Sequence, residues 1–297
     1  MGAFLENATI GRSDLKPSVV GFGTAFRGGI TKDSPKVIRA ALDRGVSLID
    51  TAEIYGDGLS EKIVGEAIKD RREKVVLVTK VSGEHLRYDE VLKSAEKSLK
   101  RLETKFIDLY LIHWPNPKVP LSETMHAMER LVNEGKVRYI GVSNFDVRQL
   151  KRANEELSRC KVIANEIKYN LLEREVEAEV LPFCQKEDIA VLAYGALARG
   201  MLTGRFLDEH SIPEDDWRRG DWFFEGESFK KGVDMVAVLK EIGLDYGKTA
   251  GQVAINWFLG KRMVFPIFGV SNVEQVEENC GGADWRLDKS ALEKLSV

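Results

Sequence analysis

The stretch Gly45-Val46-Ser47-Leu48-Ile49-Asp50-Thr51-Ala52-Glu53-Ile54-Tyr55-Gly56 decides how the rest of the chain is read. Val46 to Ile49 is apolar and partly β-branched. It follows a glycine that ends a helix-like run and stops at a carboxylate, so it predicts a short buried strand. Asp50 closes that strand, and Tyr55 stands in the loop that follows, just before a turn glycine. An acid and a phenol placed this way can point into one cleft.

Working outward, the same strand-then-helix unit recurs. Upstream, Val19 to Gly23 predicts a buried strand. Ser34 then caps a helix with Pro35 in its first turn and Val37, Ile38, Ala41 and Leu42 on one face. Before these, Ala8-Thr9-Ile10 and Asp14-Leu15 flank Gly11-Arg12-Ser13 and predict an amino-terminal hairpin. Downstream, helices are expected over Ser60–Ile68, Asp89–Leu102, Leu121–Asn133, Asp146–Arg159 and Glu175–Glu187. Between them lie strands at Val75–Val78, Ile107–Ile112, Tyr139–Val142, Val162–Ala164 and Ile189–Ala193.

An irregular segment over 197–231 holds Phe206, Trp217, Trp222, Phe223 and Phe224, a composition that suits cover over a site. Helices near 232–246 and 249–259 follow, then a last strand at Met263–Ile267. Ser271 with Glu274 gives a capping-box pattern for a helix running to Asn279.

Counted from Val19 there are eight strands, each followed by a helix. Short apolar strands with helical crossovers form a parallel sheet, and eight units predict an α/β fold, a closed (β/α)8 TIM barrel with long loops at the carboxyl ends of its strands. The 297 residues are 43% hydrophobic, enough for one barrel of typically ~250 residues plus loops. No fixed-period repeat and no linker composition interrupts them, so residues 1–297 read as a single domain.

The net charge of -3 argues against nucleic acid or an anionic membrane as the main partner. No apolar run approaches the ~18 residues of a membrane span, and Met1 to Arg12 lacks a signal-peptide pattern. Cys160, Cys184 and Cys280 are odd in number and widely spaced, without CxxC, which suits reduced thiols in a cytoplasmic protein rather than disulfides or a zinc site.

In such a barrel, chemistry gathers at the carboxyl ends of the strands. The strand tips are Gly23-Thr24, Asp50, Lys80, His113, Ser143-Asn144, Glu166, Tyr194 and Gly269 to Asn272. With Tyr55 they include an acid, a phenol, an ammonium and an imidazole. Taken singly, Asp50 could cap a turn, Lys80 could lie at the surface, and His113 could be an ordinary core or loop histidine.

The set resembles the aldo-keto reductase superfamily. The matching pieces are Asp50-Thr51-Ala52 with Tyr55-Gly56, Thr79-Lys80, Leu111 to Pro115, Gly141 to Phe145, Ala193-Tyr194 with Gly200 to Gly204, and Pro266-Ile267 leading to Glu278-Asn279. They keep the family's order over nearly the whole chain. The resemblance implies a nicotinamide-dependent reductase of small aldehydes and ketones, a monomer or weak oligomer, that binds its cofactor without a Rossmann domain. NADP(H) is the implied cofactor, with NAD(H) as the alternative.

The resemblance further implies that Ser143, Asn144 and Glu166 hold the carboxamide of the nicotinamide and that Tyr194 stacks on its ring. It places Gly23, Thr24, Asp50, Gly195, Leu197, Gly200, Gly269, Ser271, Asn272, Gln275, Glu278 and Asn279 along the rest of the cofactor. The family usually carries glutamine where Glu166 stands. It also usually carries lysine or arginine in the phosphate segment, whereas Gly269 to Asn279 contains neither. A 2′-phosphate would rest on hydroxyl, amide and backbone donors, or on Arg199 or Arg205. This predicts a weakened NADPH preference. Phe26, Trp114, Trp222 and Phe223 are candidate substrate walls, with Tyr55 and His113 also facing substrate; barrel or loop packing is the competing reading for the four aromatics.

The chemistry can be stated independently. Carbonyl reduction needs a hydride donor and a proton donor for the developing alkoxide. A phenol has a pKa of ~10, and a nearby cation makes its proton easier to lose. Lys80 can supply that charge, Asp50 can hold Lys80, and His113 can position the carbonyl oxygen beside Tyr55.

Two rival functions are a cofactor-bound regulatory subunit, as in some relatives of this fold, and a phosphate-handling barrel lyase or isomerase. The latter gives no reason for Tyr55 with Lys80, or for Tyr194. Gly21-Phe22-Gly23-Thr24 is not a dinucleotide fingerprint, because it is not GxGxxG and no capped helix begins directly after it.

Overall fold

In the computed structural model, which describes residues 5–26, 29–208 and 212–296, eight parallel strands close into one barrel in chain order. Residues 1–4, 27–28, 209–211 and 297, included in the single-domain reading, lie outside the described residues. The strands are β1 (Gly21–Gly23), β2 (Leu48–Asp50), β3 (Val76–Val81), β4 (Ile107–Ile112), β5 (Val137–Ser143), β6 (Val162–Lys168), β7 (Ala190–Tyr194) and β8 (Val264–Phe268). Gly21 pairs with Leu48 on one side and Ile267 on the other, which closes the ring.

Alternation along each strand sorts side chains into two cores, because successive residues point to opposite faces. Leu48, Val78, Leu109, Leu111, Leu192, Phe265 and Ile267 fill the interior. Ile49, Leu77, Tyr110, Ile112, Val191 and Phe268 face the helical ring. Burying each such aliphatic side chain stabilises the fold by roughly 1.5–3 kcal/mol. Gly21 and Gly141 sit at crowded inward positions. A Cβ on Gly21 would stand 2.9 Å from Leu48 Cδ2, and one on Gly141 2.5 Å from Leu111 Cδ2.

The amino-terminal hairpin plugs the bottom of the barrel. Its arms exchange Ala8 N–H to Pro17 O at 3.0 Å and Ile10 N–H to Leu15 O at 3.0 Å, with one antiparallel bridge between Asn7 and Ser18. Ile10 and Leu15 join the interior cluster, so chemistry is confined to the opposite end.

The outer ring comprises α1 (Ser34–Asp43), α2 (Leu59–Ile68), α3 (Tyr88–Arg101), α4 (Leu121–Asn133), α5 (Val147–Glu155), α6 (Val180–Lys186), α7 (Gly226–Tyr246), α8 (Ala250–Leu259) and α9 (Val273–Cys280). A short closing helix, α10 (Lys289–Lys294), is capped by Asp288.

Strand ends shift by a few residues, β6 most, running to Lys168 rather than Ala164, and three helix boundaries also depart from the sequence reading. α5 ends at Glu155 rather than Arg159, because the Glu129 carboxylate captures the N–H groups of Ser158, Arg159 and Cys160 and draws the chain off the helix. The helix expected over Glu175–Glu187 is split into a 3-10 turn at Glu175–Glu177 and α6. Pro182 lacks an N–H and its ring would clash with the carbonyl four residues back, so it is tolerated only in the first turn of α6. α7 begins at Gly226, which shortens the irregular segment.

Candidate active site

β2, β3, β4 and β6 deliver Asp50, Lys80, His113 and Glu166 to one end of the barrel, and the loop after β2 returns Tyr55 over them. Lys80 is fully buried. Its Nζ donates to Asp50 Oδ1 at 2.5 Å and to the Thr51 carbonyl at 3.0 Å. It also stands 3.2 Å from Glu166 Oε2 and 3.5 Å from the Tyr55 hydroxyl. The Tyr55 and His113 rings meet edge to face with centroids 5.6 Å apart. The four residues expected to act together are therefore within one cluster, and Glu166 joins it as a second carboxyl on Lys80.

Burial dominates the electrostatics. Loss of hydration pushes Tyr55 above the usual phenol range. Lys80 pulls it down, but Asp50 and Glu166 offset that pull. Lys80 does make the Tyr55 proton easier to lose, as expected, but burial, first, and then the Asp50 and Glu166 carboxyls outweigh that pull, so the phenol ends above its ordinary range. Lys80 lies above its ordinary range because the neighbouring carboxylates, Asp50 first, outweigh a larger desolvation penalty than any one of them. Desolvation and then Lys80 push His113 down to about 3, so its imidazole is neutral at neutral pH. Desolvation and the Asp50 charge push Glu166 up to about 8, against the pull of Lys80. At neutral pH the cluster holds a Lys80 ammonium, a Tyr55 phenol and an Asp50–Glu166 carboxyl pair that titrates as a unit, both members raised by burial.

Buried hydroxyls buttress the cluster. Thr24 donates to the Asp50 carbonyl at 2.9 Å, and its Oγ1 lies 2.7 Å from Ser60 Oγ, which is itself 2.9 Å from Thr51 Oγ1. Thr24 is thus a strut behind Asp50. Thr79, beside Lys80, donates to the buried Glu61 carboxylate at 2.6 Å, and Arg101 holds the other oxygen. Glu53 pins the next loop by accepting from Ser82 N–H at 2.6 Å and contacting His85 Nδ1 at 3.0 Å. No linear pattern reveals these struts, since their partners are distant in the chain.

Asn144 adopts a left-handed conformation, φ 61°, at the tip of β5. Its amide donates to the His113 carbonyl at 3.1 Å and to Ser143 Oγ at 2.9 Å, and its oxygen accepts from the Tyr194 hydroxyl at 3.0 Å. Asn144 therefore fixes the Tyr194 ring beside the cluster.

The other expected contacts ring the same mouth. Gly23 and Gly269 face each other across β1 and β8: a Cβ on Gly269 would have only the Gly23 carbonyl within 4 Å, at 3.5 Å. Gly195, Leu197 and Gly200 follow β7, the last two in a 3-10 turn and its approach. Asn272, not Ser271, caps α9, accepting from Gln275 N–H at 2.9 Å, while Gln275 Oε1 accepts from Ser271 N–H at 2.8 Å. The expected Ser271/Glu274 box is corrected to this arrangement, shifted by one residue. Glu278 accepts from the Thr249 hydroxyl, and Asn279 is buried. Arg199 faces Asp221 at 3.4 Å and lies over the Phe223 ring at 4.8 Å, and Arg205 lies over Phe206 at 5.4 Å.

Among the candidate walls, Phe26 and Phe223 are buried, Phe26 edge-on to Phe22 at 6.4 Å. Trp114 packs on His113 at 4.8 Å, and Trp222 is 61% exposed.

The site fits a nicotinamide dinucleotide. Glu166 Oε2 is buried without a hydrogen-bond partner among the described residues, and the space a Cβ on Gly269 would fill holds no side chain within 4 Å.

Known proteins place the chain in a family. The profile of the Aldo/keto reductase family matches residues 19–296. The aldo-keto reductase YhdN of Bacillus subtilis (strain 168) is 39% identical over 313 residues, covering 99% of this chain and 93% of that protein. The structure of a glycerol dehydrogenase from Gluconobacter oxydans superposes with a TM-score of 0.89 at 32% identity, covering 98% of this chain and 94% of its own. An aldo/keto reductase from Klebsiella pneumoniae, solved in complex with NADP and acetate, gives a TM-score of 0.79 at 30% identity, with 98% and 94% covered.

Proposed function

Because this chain belongs to the aldo/keto reductase family, we propose that Tyr55 is the proton donor in an NAD(P)H-dependent reduction of aldehydes and ketones to alcohols. A bound reduced nicotinamide would supply the hydride for the carbonyl carbon. Glu166 and Ser143 would hold its carboxamide end, Tyr194 would support the ring, and Gly23 and Gly269 would admit its backbone.

The observation that carries the reading is the contact set of Lys80. One buried ammonium touches Asp50, Glu166 and the Tyr55 hydroxyl. Tyr55 keeps its proton at neutral pH and is loaded to give it to a developing alkoxide. As that proton leaves, negative charge grows on the Tyr55 oxygen, 3.5 Å from Lys80, in a site with little water to screen it. His113 is neutral, so it orients the carbonyl oxygen by hydrogen bonding rather than by charge. In the reverse direction Tyr55 accepts the alcohol proton.

The cofactor we assign is NADP(H), the group in the Klebsiella pneumoniae complex. Gly269 to Asn279 has no Lys or Arg, and the Ser271 amide is occupied by Gln275, so NAD(H) is usable as well. Residues 1–297 form one catalytic domain in this reading. The three thiols are free, which suits a reducing compartment such as the cytoplasm; among the described residues no helix is long and apolar enough to cross a membrane.

The test is loss of nicotinamide absorbance when purified protein is mixed with NADPH or NADH and para-nitrobenzaldehyde. Turnover supports the reading. Cofactor binding without turnover across a broad carbonyl panel would favour a regulatory subunit instead, and no cofactor binding would refute both.

A further inference from the structure

We propose that Glu166 is a positioning residue for proton transfer: a second carboxyl on Lys80 whose protonation state sets how much of the Lys80 charge acts on Tyr55. The inference rests on the reductase reading and extends it to the pH range over which the enzyme works.

Lys80 has three N–H bonds to give. Asp50 and the Thr51 carbonyl take two at 2.5 and 3.0 Å. The third reaches the Tyr55 hydroxyl at 3.5 Å, while Glu166 Oε2 stands 3.2 Å from the same nitrogen without a hydrogen bond of its own. All three charged partners are buried, with side-chain exposures of 0% for Lys80, 4% for Asp50 and 5% for Glu166. Each charge is therefore felt strongly by its neighbours.

While Glu166 carries a proton it is a neutral group, and one carboxylate balances one ammonium. Once Glu166 ionises, two carboxylates share the ammonium, the third N–H turns to Glu166, and added negative charge opposes loss of the Tyr55 proton. Tyr55 then becomes a poorer acid for reduction, and ionised Glu166 also loses its only donor proton toward a carboxamide oxygen.

The ionisable groups that act on or feel Glu166 are Asp50 from β2, Tyr55 from the following loop and Lys80 from β3; His113, at the end of β4, meets Tyr55 and feels Lys80, and Tyr194 closes the adjacent β7. His113 is already neutral, and Lys80 and Tyr55 sit above their ordinary ranges. A proton lost near 8 therefore belongs to the Asp50–Glu166 pair as a unit.

The test compares wild type with Glu166→Gln, which keeps size and shape, and Glu166→Asp, which keeps the carboxyl. In the cofactor-free protein, infrared difference titration from about pH 6 to about pH 10 should show a protonated-carboxyl C=O band that disappears near 8 in wild type and is missing in Glu166→Gln. In turnover, kcat/KM for reduction should fall on the order of tenfold across that midpoint in wild type. The limb should vanish in Glu166→Gln and return, shifted, in Glu166→Asp.

Wild type that turns over with the same profile as Glu166→Gln, or that lacks the band, overturns the Glu166 proposal and leaves the reductase reading standing. Wild type that reduces no carbonyl overturns both.

Discussion

Replacing Lys80 by Met removes the ammonium while keeping the length of the side chain. Asp50 and Glu166 are then left buried with no counter-charge, since Lys80 is the cation in contact with both. Removing one partner of a buried ion pair costs about 3–5 kcal/mol. At about 2 °C per kcal/mol for a chain of this size, the melting temperature at neutral pH should drop by about 6–10 °C. The sign of the pH dependence follows from the carboxyls. Desolvation already raises both above their ordinary values, and Lys80 pulls both down; without it both rise further. An acid whose folded pKa is raised adds stability that is fully present below its unfolded pKa, about 4, and lost as pH climbs toward the folded value. The gap between variant and wild type should therefore be about 1 kcal/mol at about pH 4 and widen through neutrality. Differential scanning fluorimetry across pH measures it. A gap that is constant with pH would refute the claim that Lys80 stabilises two buried carboxyls.

Further outcomes follow from other parts of the molecule. The ratio of kcat/KM for NADPH to that for NADH should lie well under a thousandfold, and Gln275→Arg should raise it by about tenfold or more by adding a cation at the start of α9; no change on that substitution would remove Gln275 from the phosphate site. Gly83→Ala would put a Cβ 2.1 Å from Trp114 Nε1, displacing the ring that packs on His113, so kcat/KM for the carbonyl should fall on the order of tenfold while the melting temperature changes little. Burial works against Glu129, but three backbone N–H groups and the Ser158 hydroxyl pull its carboxyl down to about 2. That stability is present above the unfolded pKa and lost as pH falls toward about 2. Glu129→Gln should flatten acid unfolding over that window, measured by circular dichroism.

The barrel is legible in the sequence because its strands carry their own signal: short apolar runs, each closed by a polar tip. Asp50, Lys80 and His113 could be brought together from strand order alone, since tips of parallel strands share one end. What linear reading cannot see are contacts set by curvature. Glu166 lies four strands from Asp50, yet closure of the barrel puts both on Lys80. The Thr24–Ser60–Thr51 hydroxyl chain is likewise formed only by packing. Helix ends are hidden from the sequence where a side chain from another element intervenes, as Glu129 does beyond α5. The pull of Lys80 on Tyr55 is legible in the sequence, whereas the burial and the carboxyls that outweigh it are set by packing.

The central claim, that Tyr55 supplies the proton, is tested most directly by Tyr55→Phe, which removes one hydroxyl and leaves the ring packed edge-on to His113. Pre-steady-state reduction and cofactor titration should show kcat lowered by about 10²–10⁴-fold with the cofactor dissociation constant changed by less than about threefold. Unchanged kcat in the variant would contradict the assignment of Tyr55 as the acid.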